Sequence, residues 1–470
     1  MSNDAPAAGT PERMDRFYEF DREPVRETHL HSGGRFAALF AGEYIGGADF
    51  VIGIMFVMHG VSAFDLVVGL LIGNLLAVLS WTFICAPIAV RVRTTLYWHL
   101  RKIAGPGVMV IYNLANAFLF CILAGAMISI AAAAVGIPFQ MQMLSLTDFY
   151  SADWDWIMTV WGVGSVVGVV AVLGFKRMSQ FSCLCAPWLL IIFIAGAVAV
   201  LPQLGKIHNL SDLWQIANTK IWDGVPKEGL EKFGLMHIIF FAWFCNLAMH
   251  IGLSDMALFR FARHWSYGFY SALGMYLGHF LVWICSGVMV SANGFAIEPG
   301  LTAFNAAGVA GVAAVVLAAW TTANPAVYRA GLALQIVSPN WPRWLTTVIA
   351  FLIATILACF PVFVLRLLDF VAVYGLILMP VGAIVFTEHW LFPRFGLPPL
   401  WAEKRKVRFN MPALLTWIIV LLMCLLPMNW LHIHLFFRWL PGWFLSIILY
   451  ISFCVLWDVK QSPREGAPQL

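Results

Sequence analysis

Long apolar runs separated by short polar gaps recur along the chain, and most approach the roughly 20 residues needed to cross about 30 Å of hydrocarbon. They can be drawn at 36–60, 64–90, 107–136, 156–175, 180–202, 234–257, 268–291, 306–325, 346–364, 368–387, 411–428 and 437–457. The pattern predicts an all-α polytopic membrane protein of about twelve transmembrane helices. Residues 1–35 carry charges of both signs and no apolar core, which predicts a cytoplasmic tail rather than a cleaved signal peptide. Residues 458–470 form a second tail. The 203–233 segment, with Leu213-Trp214-Gln215-Ile216, reads as an outer-surface amphipathic helix or as an ordered loop.

Basic residues gather in alternate gaps. Arg91, Arg93, Arg101 and Lys102 follow the second span, Lys176 and Arg177 the fourth, Arg260 and Arg263 the sixth. Arg329 and Arg343 continue the series after the eighth, and Arg394, Lys404, Arg405, Lys406 and Arg408 after the tenth. The intervening gaps are poor in Lys and Arg or carry acids, as in Asp148, Asp153 and Asp155. By the positive-inside rule both termini are cytoplasmic, in an inner or plasma membrane.

Composition closes off other classes. Of 470 residues, 61% are hydrophobic and only 11% charged, against about 25% charged in soluble proteins. No stretch is left for a soluble catalytic domain, and no nucleophile elbow, phosphate loop or paired zinc ligands appear, so the expectation is not an enzyme and not a nucleic-acid binder. The nine cysteines lie in or beside apolar segments and read as small buried hydrophobes.

Against this apolar background the first span is anomalous, because Glu43 and Asp49 bracket Gly46-Gly47. An ionisable side chain inside a span costs roughly 2.5–3.5 kcal/mol on insertion scales. Each glycine weakens a helix by about 1 kcal/mol relative to alanine. A soft centre flanked by acids predicts a discontinuous helix that holds a ligand or ion. The sixth span softens in the same way at His250-Ile251-Gly252-Leu253-Ser254-Asp255. The two lie five spans apart, so the halves 36–202 and 234–390 would form an inverted repeat with interrupted helices at matching places.

The eighth span ends Ala318-Ala319-Trp320-Thr321-Thr322-Ala323-Asn324-Pro325. Two neighbouring hydroxyls and the Ala318 carbonyl offer oxygen ligands to a hard cation, and Pro325 frees a carbonyl one turn earlier. The alternative is that both threonines bond back to their own helix. Asn74, Asn113, Asn116, Asn246 and His250 are further polar residues in the spans; amides there serve as interhelical glue, and the histidine as a core hydrogen bonder or a proton relay.

Gly73-Asn74-Leu75-Leu76, Arg260-Phe261-Ala262-Arg263 and Trp320-Thr321-Thr322-Ala323-Asn324, in this order and spacing, resemble the nucleobase:cation symporter-1 family, the purine and cytosine permeases. The resemblance runs from about Arg35 to the tenth span. It implies the LeuT-type fold: ten core helices in two inverted five-helix repeats, interrupted first and sixth helices, and two peripheral helices over 391–457. It also implies a sodium site on Gly42, Ile45, Ala318, Thr321 and Thr322. The implied substrate-binding set is Gly46, Gly47, Asp49, Asn116, Phe120, Phe244, Asn246 and Asn324. Phe120 and Ala117 stand where family members taking pyrimidines or hydantoins present a tryptophan and a glutamine; Asp49 has no counterpart in that pattern.

The function so implied is symport of a nucleobase or related small nitrogenous heterocycle, coupled to sodium or a proton, by a monomer or weak oligomer in lipid. A second reading is an importer of an amino acid or amine with Asp49 as counter-ion, and a third is a channel. Asp49 itself is open to three roles: binding a cationic amine, carrying a coupling proton, or accepting hydrogen bonds from ring N–H groups.

Overall fold

Each apolar run drawn on the sequence overlies a helix in the computed structural model, which describes residues 19–20, 22–141, 149, 153–294, 298–338, 340–426 and 433–461. Among the described residues, eight helices are long and apolar enough to cross a membrane, one further span is a bent pair, and three shorter apolar helices join them. No strand forms among these residues; two isolated bridges are the whole of the β pairing.

The bent pair is α1 (Gly33–Tyr44) and α2 (Gly47–Met58), at 46° to one another. Then come α3 (Ala63–Val92), α4 (Leu96–Gly136), α5 (Trp154–Val172) and α6 (Phe175–Leu204). The 203–233 segment contains α7 (Leu210–Ile216), on which Trp214 is exposed and Ile216 buried. The sixth span is in three pieces, α8 (Leu235–Phe244), α9 (Leu247–His250) and α10 (Met256–Phe259). The remainder are α11 (Trp265–Ala292), α12 (Pro299–Val337), α13 (Arg343–Ala358), α14 (Asp369–Leu391), α15 (Met411–Leu425) and α16 (Trp439–Gln461).

Two helix edges differ from those drawn on hydropathy. The third span, drawn from 107, is preceded by a further helical piece from Leu96, and the two meet at a kink where Gly105 takes the non-helical φ +84 ahead of Pro106. The proline leaves a gap in the backbone ladder. That gap is closed from outside: Gly107 donates to the Arg408 carbonyl and Asn410 to the Ala104 carbonyl. The eighth helix runs on past Pro325 to Val337, so Arg329 lies inside the bundle and not in a gap. Arg260 is likewise buried, donating to the carbonyls of Phe20 and Ala257 and to the Tyr328 hydroxyl.

The end of the N-terminal stretch is tied down. Glu19 accepts from the Phe175 amide and the Tyr328 hydroxyl, and Arg22 donates to the Gln335 carbonyl. Inside the bundle α12 lies along α4, α1 packs on α6, α2 on α11, and α8 on α3. Both broken helices are thereby enclosed by other helices, the condition under which non-helical backbone is tolerated at membrane depth.

Candidate functional site

The first break is made by what glycine lacks. A Cβ on Gly46 would stand 2.1 Å from Thr322 Oγ1, and one on Gly47 would stand 3.1 Å from Ala319 Cα, so only bare backbone lets the break reach α12. Ending α1 at Tyr44 orphans its last carbonyls. Thr322 Oγ1 lies 3.0 Å from one of them, Glu43 O, and 3.0 Å from Ala318 O, and its one hydrogen is shared between the two carbonyls. Where α2 begins, Asp49 sits in its first turn and its Oδ2 accepts from the Gly46 amide at 3.3 Å. A carboxylate is favoured there by the exposed amides and the helix dipole.

Three buried charges hold the two breaks together. Arg329 donates from Nη1 to Glu43 Oε1 at 2.7 Å and from Nη2 to Glu43 Oε2 at 3.2 Å. The same guanidinium donates to Asp255 Oδ1 from Nε at 3.1 Å and from Nη2 at 2.6 Å. Trp81 Nε1 completes Asp255 by donating to Oδ2 at 2.6 Å. His250 Nε2 lies 2.9 Å from Trp243 O and meets an orphan carbonyl at the end of α8. Asp255 is enclosed with no exposed surface.

A second cluster gathers on Asp49. Its Oδ1 accepts from Trp283 Nε1 at 3.0 Å and faces His279 Nε2 at 3.1 Å. The His279 ring stacks on Trp283 at 4.4 Å between centroids, and its Nδ1 faces Asn74 Oδ1 at 3.4 Å. Asn246 Nδ2 lies 3.2 Å from His279 Nε2. Between this cluster and the Arg329 network is a cavity of about 50 Å³, walled by Glu43, Tyr44, Asp49, Asn246, His279 and Tyr374 among others.

Of the residues expected around a substrate, Asp49 and Asn246 line this cavity, and Gly46 and Gly47 form the break beside it. Asn116, Phe120, Phe244 and Asn324 are buried and do not line it. Phe120 packs edge-on against Tyr374, with the Arg329 guanidinium carbon 5.7 Å from its ring centre. Phe244 packs against Phe241 and Phe436.

Among the residues expected to hold a cation, Thr321 Oγ1 donates to Ala318 O at 3.0 Å, while Thr322 bridges Ala318 O and Glu43 O. The first-helix carbonyl that meets Thr322 is therefore that of Glu43, between Gly42 and Ile45. Gly42 packs on Ser182 of α6, and the Ile45 amide closes back on Ala41 O. These oxygens are neutral and suited to a hard monovalent ion. Among the described residues no group of three or more His, Cys, Asp or Glu side chains is disposed to hold a metal.

No protein-family profile matches the chain, and no curated protein matches it in sequence. Solved structures do. Mhp1, a nucleobase-cation-symport-1 family transporter, in a closed conformation with bromovinylhydantoin bound, superposes with a TM-score of 0.70 over 95% of this chain and 97% of that one, at 15% identity. Its inward-facing conformation also gives 0.70, over 97% and 95%, at 14% identity. A sodium-coupled sialic acid symporter in a substrate-bound outward-open state gives 0.68 over 94% and 92%, at 11% identity. The chain has the LeuT-type fold.

Within that fold the sequence pointed to the carboxylates and the threonine pair, and it passed over Arg329, His279 and Trp283. Arg329 was counted among loop cations because hydropathy falls at Asn324-Pro325. His279 and Trp283 are four apart on α11 and so share a face. That spacing was the available signal, yet Trp283 is one of 21 tryptophans.

Proposed function

We propose that the chain is a secondary active transporter that carries a small nitrogenous heterocycle, a nucleobase or relative, together with a cation by alternating access. The observation that carries the reading is the meeting of a broken first helix, a threonine pair and a buried cavity faced by Asp49, Asn246 and His279 at one point in a transporter fold. Broken helices at a midplane site are how this architecture binds substrate and coupling ion. The excess of basic residues in alternate gaps supports a cytoplasmic location for both termini, and the halves 36–202 and 234–390 act as the two repeats.

In this reading Ala318, Thr321, Thr322 and the first-helix carbonyls around Gly42, Glu43 and Ile45 supply oxygens to sodium. Glu43, Asp255 and Arg329 carry one more negative than positive charge, which favours a cation nearby. The substrate binds beside Gly46, Gly47, Asp49 and Asn246. Ligand pockets run to about 300–1,000 Å³, so the cavity widens before a flat ring enters; Asn116, Phe120, Phe244 and Asn324 then become candidates to line it. The amine reading is weaker, because Asp49 already accepts from Trp283 Nε1 and the Gly46 amide and is closed in by His279 Nε2.

A thermal-shift screen tests both ligand and ion. Uracil, cytosine, adenine, allantoin and hydantoin are compared with simple amines, in sodium and again with choline in its place. Stabilisation by a heterocycle that sodium strengthens is expected, and Thr321→Ala with Thr322→Ala should raise the sodium concentration needed about tenfold or more, a loss of at least about 1.4 kcal/mol. Stabilisation by amines alone would replace this reading with the amine importer.

A further inference from the structure

The hydrogen-bond partners of His279 leave one proton unaccounted for. Asn74 Nδ2 donates to Met275 O at 3.0 Å, which turns Asn74 Oδ1 toward the His279 ring. An amide oxygen only accepts, so Nδ1 of His279 carries hydrogen. In a neutral ring Nε2 is then a bare lone pair, and Asn246 Nδ2 at 3.2 Å is placed to donate to it. Yet Nε2 also stands 3.1 Å from Asp49 Oδ1, which in a carboxylate is another acceptor. Two lone pairs do not meet at that distance without a proton between them. The other ring tautomer lets Nε2 donate to Asp49 Oδ1 but sets the bare Nδ1 against Asn74 Oδ1 and leaves Asn246 Nδ2 with Cys245 Sγ alone, so only an added proton satisfies both ring nitrogens.

We propose that Asp49 and His279 form a proton-binding site in the transport cavity, holding a single proton on the line between Oδ1 and Nε2. With the proton the pair is neutral overall, either as carboxylic acid and imidazole or as carboxylate and imidazolium. When the cavity opens, the proton passes to water, leaving the carboxylate and a ring hydrogenated at Nδ1. Asp49 Oδ1, still held by Trp283 Nε1, then has its second lone pair for an N–H from the substrate. Trp283 and Asn74 are positioning residues here: the indole holds Oδ1 and stacks on the ring, and the amide fixes Nδ1.

The neighbouring titratable groups do not supply this proton. Glu43 faces the cavity but is committed to Arg329, which also binds Asp255. Tyr44 meets the His279 ring edge-on at 5.4 Å, and Tyr374 closes the far wall. From the second broken helix, Cys245 Sγ lies 3.8 Å from Nδ1 and is turned to Ala242 O, while His250 is held on Trp243 O. Asp49 and His279 are thus a titratable pair in direct contact on the cavity wall.

The role of this proton as a coupling ion rests on the transporter reading; the site itself is tested without any ligand. Full-length protein in lipid nanodiscs, with choline in place of sodium, is titrated while its infrared spectrum is recorded. The site predicts a titrating carboxyl or carboxylate band that Asp49→Asn abolishes and whose midpoint His279→Gln moves by about a pH unit or more, a tenfold change in proton affinity. Loss of no titrating band in Asp49→Asn, or an unmoved midpoint in His279→Gln, overturns it. If Asp49→Asn does not fold, the comparison of the native protein with His279→Gln alone still decides. A positive infrared result beside a thermal-shift screen that finds no ligand would defeat the transporter reading and leave the proton site standing.

Discussion

Arg329 shows how a single residue can be both costly and indispensable. Its guanidinium serves two carboxylates from two different broken helices, and none of the three side chains is more than a few per cent exposed. Buried ion networks add little over a well-packed neutral set, but removing one partner strands a charge at about 3–5 kcal/mol. Arg329→Met should therefore lower thermal stability sharply, read by tryptophan fluorescence in nanodiscs. The triple change Glu43→Gln, Asp255→Asn, Arg329→Met should recover most of that loss. A single variant as stable as the native protein would show that the network does not hold the breaks together. At this scale the sequence exposed the acids more readily than their partners. Glu43 and Asp49 stand out because a charge among apolar residues is expensive, whereas the cation that neutralises Glu43 sits 286 positions away, where local pattern carries no information. Histidine is ambiguous for a different reason: His250 drew attention beside a soft segment, while His279, inside an unremarkable span, makes the contact with Asp49.

At the scale of elements the breaks depend on close backbone approach. A Cβ on Gly278 of α11 would fall 1.9 Å from Tyr44 O, and one on Gly382 of α14 would fall 1.9 Å from Ile251 O, so each continuous helix touches the frayed end of a broken one. Gly278→Ala should cost about 1–3 kcal/mol by overpacking, visible as a lowered unfolding temperature; an unchanged temperature would mean that α11 does not press on the break. The N-terminal stretch offers a pH prediction. His31 lies between Phe175 and Phe261, with ring centroids at 5.2 and 5.3 Å, and burial, aided by the nearby Arg35 charge, pushes its pKa from 6.5 down to about 4. Between those values the unfolded chain binds more protons than the folded one, so stability rises with pH there and is lost as pH falls from 6.5 toward 4. Native protein should lose thermal stability over that window, and His31→Asn should lose less; equal losses would remove His31 from the account. The order and membrane character of the helices were legible because lipid imposes a length and a polarity on each span. Their edges were less so: a further helical piece precedes the kink at Gly105-Pro106, and Asn324-Pro325 looks like a stop although the burial of Arg329 shows that α12 continues.

For the whole molecule the decisive quantity is the cavity, about 50 Å³. That volume admits a little water, whose share in the liquid is about 30 Å³ per molecule, and no aromatic ring. A transporter reading therefore requires the two broken helices to move against α4, α11, α12 and α14, opening the site to one side at a time, whereas a channel would show a continuous path. Cys245 can report which occurs, because it lines the cavity and is buried in this state. A protein retaining Cys245 with the other cysteines replaced should react with a thiol reagent only through such openings. In vesicles, an impermeant reagent applied from one face should label Cys245 at a rate that changes with sodium and with any heterocycle found by thermal shift, because both bias the opening equilibrium. The rate from the opposite face should change in the opposite sense. Labelling that rises or falls together from both faces, or that ignores sodium, pH and ligand alike, would mean that the breaks do not alternate and that the cavity is not a carrier's binding site.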